Sequence, residues 1–250
     1  MARYPSSGVT YAIGPGGMSP AVKLLLIVNV AMFLATLVVP EIRQHLGLRP
    51  QAVVERGHIW QLVTYAFLHA DVFHILFNML ALWMFGVELE RIWGTRFFAR
   101  YYAITGIGAG LVTVAVSLLP ARFAHVMYFV PTIGASGAIY GLLLAYGLTF
   151  PNRPIYLYFL FRIPAKYFVM IIGAVAFISS ISNEPGGISH AAHLGGLVVG
   201  YAYLKGRRLL RVNPLAELKY RYLRWRINRM RRRFDVYSGG RKDDWDRRVH

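Results

Sequence analysis

Ile133-Gly134-Ala135-Ser136-Gly137-Ala138-Ile139-Tyr140-Gly141 sets one serine among small residues at the head of an apolar segment that runs to Phe150. A serine hydroxyl is a weak nucleophile until a base takes its proton. Glycine on either side lets a second backbone or a substrate come close. The same spelling suits a soluble nucleophile elbow, where a strand turns into a helix. The flanking sequence decides the setting, because it has the composition of membrane helices. The question becomes whether a base on another membrane helix reaches Ser136.

The chain has 250 residues, 56% of them hydrophobic and only 16% charged, with a mean hydropathy of +0.43. A soluble domain carries about 25% charged residues. The charges are also gathered at one end. Residues 205–250 hold 16 Lys/Arg against 5 Asp/Glu, which accounts for most of the net +17. The body is therefore that of an integral membrane protein with a basic tail. There is no cysteine, which excludes disulfides and thiolate metal sites. Residues 1–20 are rich in Gly, Ser and Pro with Arg3 as the only charged side chain, and read as a flexible lead. No small-residue cleavage site follows a short apolar core, so the first apolar run reads as an uncleaved span.

Six apolar segments follow: Val22 to Val39, Leu62 to Leu89, Phe97 to Leu119, Ser136 to Phe150, Tyr167 to Ile181 and Ser189 to Leu204. The first is just long enough for roughly 30 Å of hydrocarbon. Glu41 to Gln61 mixes charges with Ile42, Leu46, Val53 and Trp60, which suits a segment lying in the membrane interface. The expected fold class is all-α: a polytopic bundle of six transmembrane helices with an interfacial first loop. The expected divisions are a flexible cytoplasmic N-terminus (1–20), the membrane domain (21–205) and a basic, partly helical cytoplasmic tail (206–250). Six spans put both termini on one side, and the excess of basic residues in the tail places that side in the cytoplasm. The absence of an organelle transit pattern points to a prokaryotic inner membrane. Leu215, Leu218, Tyr222, Trp225, Ile227 and Met230 lie among the basic residues of the tail. That pattern predicts a helix held by anionic lipid; nucleic-acid binding has no supporting motif.

Strongly polar side chains inside spans are costly and mark function. The second segment carries His69, Asp71, His74 and Asn78, with His74 and Asn78 one turn apart on one face. The fourth begins near Ser136. The sixth begins with His190 and His193, followed by Gly196-x-x-x-Gly200, a pattern that lets two membrane helices pack backbone to backbone. In the expected topology all three clusters fall in the outer halves of their spans. A glycine face packed on Ser136, Gly137 and Gly141 brings His193 against Ser136. Ser136 then reads as a nucleophile and His193 as its general base. The start of the Ser136 helix, with His74 and Asn78, offers donors for an oxyanion. Asp71 and Glu184 are the nearby acids and neither is spaced to orient His193, so a dyad is expected. Each residue has a plainer reading: a packing serine bonded to its own backbone, a satisfied histidine, or His190 and His193 binding a metal with His74, which is a thin zinc signal. The combination favours the dyad.

Gly134-Ala135-Ser136-Gly137, His193 in Ala192-His193-Leu194-Gly195-Gly196-Leu197-Val198-Val199-Gly200, and His74-Ile75-Leu76-Phe77-Asn78 together resemble the rhomboid intramembrane serine proteases, in that family's order from about Val22 to Leu204. The resemblance implies a Ser136–His193 dyad, an oxyanion hole from His74, Asn78 and the Ser136 N–H, and Tyr140 packed against the histidine. It also implies structural roles for Glu90 and Gly94, a mobile cap at Asn183 to Ser189, and the fifth span as a lateral gate. The implied substrates are single-span membrane proteins cut near the outer boundary, and no metal or organic cofactor is implied. One departure stands out. The family's first loop commonly carries Trp-Arg, whereas this chain has Trp60-Gln61. Losing that bidentate donor is expected to touch loop stability or gating rather than chemistry.

Overall fold

A computed structural model describes residues 16–157, 161–181, 187–211 and 214–231. The chain divides into two compact units, Met1–Leu204 and Lys205–His250. The first opens with α1 (Pro20–Val38), then α2 (Ile42–Leu46), α3 (Pro50–Arg56) and α4 (Gln61–Thr64), which runs into a 3₁₀ turn at Tyr65–Phe67. Next come α5 (Val72–Ala81), a π-helical stretch at Leu82–Gly86, α6 (Val87–Trp93), α7 (Thr95–Ser117), α8 (Arg122–Phe129) and α9 (Ser136–Thr149). A hairpin of β1 (Pro154–Leu157) and β2 (Phe161–Pro164) leads to α10 (Ala165–Ile181) and α11 (Gly187–Arg211). In the second unit, α12 spans Pro214–Arg231.

Among the described residues, three stretches are long and apolar enough to cross a membrane: Pro20–Val38, Val72–Trp93 and Thr95–Ser117. The apolar helices Ser136–Thr149 and Ala165–Ile178 are shorter. The sixth segment expected from sequence lies within α11, whose 25 residues also carry a basic end. Leu24, Ile27, Leu34 and Leu37 of α1, Phe73 and Phe77 of α5, and Met170 and Phe177 of α10 are exposed. Such surfaces belong in lipid.

The structure corrects two sequence boundaries. The second span begins at Val72 rather than Leu62, because the Asp71 carboxylate accepts the His74 N–H at 2.9 Å and caps a new helix there. An aspartate in this place satisfies an orphan N–H at the helix start, so His69 and Asp71 precede the span. The stretch between the fourth and fifth apolar segments, which no apolar segment claimed, forms the antiparallel hairpin, with Ile155 opposite Ile163. It is rich in the aromatic and β-branched residues that suit a strand. The expected cap at Asn183 to Ser189 falls largely outside the described residues, as do residues 1–15 and 232–250.

The centre of the first unit is the contact of α7 with α9. A Cβ on Gly137 would lie 2.7 Å from the Ala109 Cβ, and one on Gly141 2.7 Å from the Thr105 Cγ2. Tyr101 donates its hydroxyl proton to the Gly141 carbonyl at 2.8 Å. Phe98, Tyr101, Leu142 and Val22 are fully buried around this seam.

The first helix is fastened to the seam by Glu90. Its carboxylate accepts the Ala21 and Val22 N–H groups at 2.9 and 3.0 Å and the hydroxyls of Ser19 and Thr95. Glu90 thus caps α1 from another helix and satisfies donors that a helix start leaves unpaired. Gly94, at φ +76°, allows the turn from α6 into α7. Glu90→Ala is expected to lower unfolding stability by about 3 kcal/mol, since it strands several buried donors at once. The measurement is the thermal midpoint of the detergent-solubilised protein; an unchanged midpoint would contradict this role.

Candidate active site

Ser136 is the first residue of α9. The first bond inside that helix runs from the Ile139 N–H to the Ala135 carbonyl at 3.1 Å. The N–H groups of Ser136 to Ala138 therefore have no helical partner, and they carry the positive end of the helix dipole. The fourteen residues of α9 rise about 21 Å at 1.5 Å each, short of the roughly 30 Å of hydrocarbon. A helix that short does not span the hydrocarbon from face to face by itself, and Ser136 is one of its two ends.

The Ser136 Oγ lies 2.8 Å from the His193 Nε2, across 57 residues of chain. His193 is on α11 and lies flat on the Tyr140 ring, one turn beyond Ser136, with centroids 4.1 Å apart and planes 7° apart. That stacking holds the imidazole plane by contact over its whole face. The ring also meets His190 in an edge-to-face contact, with centroids 5.6 Å apart. The His193 Nδ1 is buried and makes no hydrogen bond among the described residues, so no described carboxylate orients the ring. His74, His190 and His193 do not form a group able to hold a metal among the described residues.

The approach of α11 to α9 depends on glycine. A Cβ on Gly196 would be driven into the Gly137 carbonyl oxygen, and one on Gly200 would lie 3.3 Å from the Gly141 Cα. The glycines divide their work in a way the sequence did not reveal. Gly196 and Gly200 let α11 meet the α9 backbone, whereas the bare faces of Gly137 and Gly141 are filled chiefly by Ala109 and Thr105 of α7.

The segment before Ser136 is equally constrained. Gly134 has φ +125°, a conformation side chains rarely adopt, and its N–H donates to the Tyr65 carbonyl at 2.9 Å. A Cβ there would lie 2.8 Å from the His74 Nε2 and 3.6 Å from the Ser136 Oγ. His74 and Ser136 therefore share the open face of Gly134. The Ala70 N–H donates to the His74 Nδ1 at 3.3 Å, so the ring proton sits on Nε2, on the side facing Gly134. Asn78 is less committed. Its amide donates to the His74 carbonyl one turn earlier, at 2.7 Å, and its second N–H remains for another acceptor.

Ser136, His193, Tyr140, His74 and Gly134 thus converge, with Gly137, Gly196 and Gly200 behind them and Asn78 one turn away. Sequence reasoning missed the Asp71 cap that starts the His74 helix, although Asp71-x-x-His74 has the spacing of an N-cap. It also missed Tyr65, which acts through its backbone carbonyl and leaves no side-chain signal.

A helical membrane chain with a serine at one helix start, held against a histidine from another helix, defines a class of multi-pass membrane protein. Residues 56–208 match the family model described as Rhomboid domain. The putative rhomboid protease YdcA of Bacillus subtilis is 36% identical over 152 residues, covering 59% of this chain and 67% of that protein. Rhomboid protease GluP of Bacillus subtilis is 34% identical over 157 residues, 62% of this chain and 27% of its own length. Rhomboid protein 1, mitochondrial, of Saccharomyces cerevisiae is 34% identical over 139 residues, 55% of this chain and 39% of that protein. This chain belongs to the rhomboid family. It spans well under half of GluP and of the yeast protein.

Gly196→Val is expected to force α11 off α9, costing about 1–3 kcal/mol of stability as an overpacked contact. It should also lengthen the distance between Ser136 and His193. Thermal unfolding reads the first effect, and a wild-type midpoint would contradict the packing described.

Proposed function

We propose that the chain is an intramembrane serine endopeptidase. The observation that carries this reading is the 2.8 Å contact between the Ser136 Oγ and the His193 Nε2, made at the unpaired N-terminus of a short apolar helix. In this mechanism the Ser136 oxygen attacks a substrate carbonyl while the His193 Nε2 takes its proton. The same imidazole then returns the proton to the leaving amine. The oxyanion is held by the Ser136 N–H, by the His74 Nε2–H and by the spare N–H of Asn78. Tyr140 keeps the base in plane. The chain supplies nucleophile, base and oxyanion donors, so neither metal nor organic cofactor has a part.

The substrates proposed are single-span membrane proteins, cut at or near the outer boundary after a small residue and close to helix-breaking residues. A substrate helix ties up its own carbonyls and must unwind locally before attack. The half-buried state of Ser136, His74 and His193 supports a pocket that admits both water and an unwound segment. The proposed setting is a six-helix membrane domain at 21–205, in a prokaryotic inner membrane, with the lead 1–20 and the tail 206–250 both cytoplasmic.

The test is cleavage of a labelled single-span substrate in liposomes. Ser136→Ala and His193→Ala are each expected to lower turnover by at least about 10³-fold, as for members of a unit that fails together. Cleavage surviving both substitutions would sink the dyad. Substrate binding without cleavage by the unaltered protein would favour a non-catalytic binder or chaperone instead.

The tail carries a second, independent proposal: α12 lies on anionic lipid. Tyr220, Tyr222, Trp225, Ile227 and Met230 are exposed beside Arg224, Arg226 and Arg229, and the Arg229 guanidinium sits 5.3 Å from the Trp225 ring centre. Basic residues near an anionic surface contribute about 1 kcal/mol each. Amide exchange in α12 should slow in anionic nanodiscs relative to neutral ones, and high salt should erase the difference. Equal exchange in both lipids, or displacement by RNA, would refute the lipid assignment.

A further inference from the structure

Gln61 is a polar residue sealed inside the protein, only 1% exposed. Both ends of its amide are used, and both on one distant turn. The Oε1 accepts the Arg49 N–H at 3.0 Å, and the Nε2 donates to the His45 carbonyl at 3.1 Å. Two neighbours hold the same turn: the Trp60 Nε1–H donates to the His45 carbonyl at 3.2 Å, and the Thr64 hydroxyl to the Leu46 carbonyl at 2.7 Å. Between the points that Gln61 grips lies Leu48, fully buried. Leu48 exchanges two backbone hydrogen bonds with Thr132, at 3.0 and 2.8 Å. Thr132 stands four residues before Ser136. Two residues after Thr132, Gly134 is tied to the carbonyl of Tyr65, immediately beyond α4.

The turn at 45–49 and the strand of chain at 132–134 are thus fastened to one short helical segment and to each other. We propose that Gln61 is a positioning residue for Ser136: its amide fixes the 45–49 turn, and the Leu48–Thr132 bridge passes that fixation to the backbone that aims the Ser136 Oγ. This deepens the protease reading and rests on Ser136 being the nucleophile. An amide suits the place because one planar group both donates and accepts, and so closes a turn between a carbonyl and an N–H four residues apart. Without Gln61 the part-buried Arg49 N–H would lose its acceptor, and the His45 carbonyl would keep only the Trp60 Nε1–H, a cost in stability and in definition of the turn. A displacement of about 1 Å at a reacting atom costs on the order of 10²-fold in rate, so a loosened turn is felt at Ser136 even though Gln61 touches no reacting group.

The test compares Gln61→Met, similar in shape but unable to donate, with Gln61→Glu, which keeps the acceptor for Arg49. Three quantities are read in liposomes: kcat, KM, and the rate at which a fluorophosphonate labels Ser136. Gln61→Met should lose about tenfold in kcat and in labelling rate, a fraction of the full displacement cost, with KM unchanged. Gln61→Glu should recover only part of the loss, because it restores the acceptor for Arg49 but not the donor to His45. Rates that return to wild type once corrected for folded fraction, or a fall in KM terms alone, would overturn the proposal. Should Gln61→Met fail to fold, Thr64→Val decides: it removes one bond to the same turn, so labelling should slow in folded protein, and an unchanged rate overturns the inference. A wild-type protein that neither cleaves nor labels sinks the protease reading instead. The coupling is then read from amide exchange at Thr132 and Gly134, which Gln61→Met should accelerate; unaltered exchange there refutes it.

Discussion

The contact on which everything else depends is the backbone approach of α11 to α9 at Gly196 and Gly137. In a bilayer, helices gain little from burying apolar surface against each other, so close packing between small residues has to supply the attraction. With no side chain at Gly196, α11 comes down onto the Gly137 carbonyl. His193, one turn earlier on α11, then lands within hydrogen-bond reach of Ser136. A methyl group at Gly196 would hold the two helices apart, and a hydrogen bond does not stretch by that much. Tyr140 completes the arrangement from the α9 side, so the polar and the stacked partner of the histidine come from a single helix.

A second constraint is that every buried backbone donor and acceptor needs a partner where water is scarce. The chain meets it with side chains placed at breaks between helices. Glu90 caps α1 from another helix, Asp71 caps α5, and Gln61 closes the 45–49 turn. The places where the chain leaves helical geometry are also the places where Ser136 and His74 are presented. Irregular backbone around Gly134 is stable because Tyr65 and the Leu48–Thr132 bridge satisfy it. The same bonds that tolerate the irregularity fix its shape.

Much of this was legible in the sequence because membrane chemistry leaves few options. The polar residues stood out against an apolar background, and the Gly196-x-x-x-Gly200 pattern announced a close helix contact. The second span's start was misread because Leu62 to Leu68 is as apolar as a span, and only the turn at Ala70 and Asp71 breaks it. The hairpin was missed because a short aromatic run has no period that separates strand from loop. Gln61 was noticed for the arginine it replaces, yet what it holds was invisible: its partners are backbone atoms at His45 and Arg49, and any residue type supplies those.

The sequence by itself determined the class, namely an apolar helical chain of the rhomboid family with a basic tail and three polar clusters in a definite order. Composition and local spacing are sufficient for that, because each is a property of a single segment. Only the tertiary structure decided that the Ser136 hydroxyl and the His193 imidazole meet, that His74 turns its Nε2 toward the face of Gly134, and that the glycines serve two different neighbours. Those facts depend on how segments far apart in the chain approach to within a few ångströms, and that distance is set by packing between helices rather than by the spelling of any one of them.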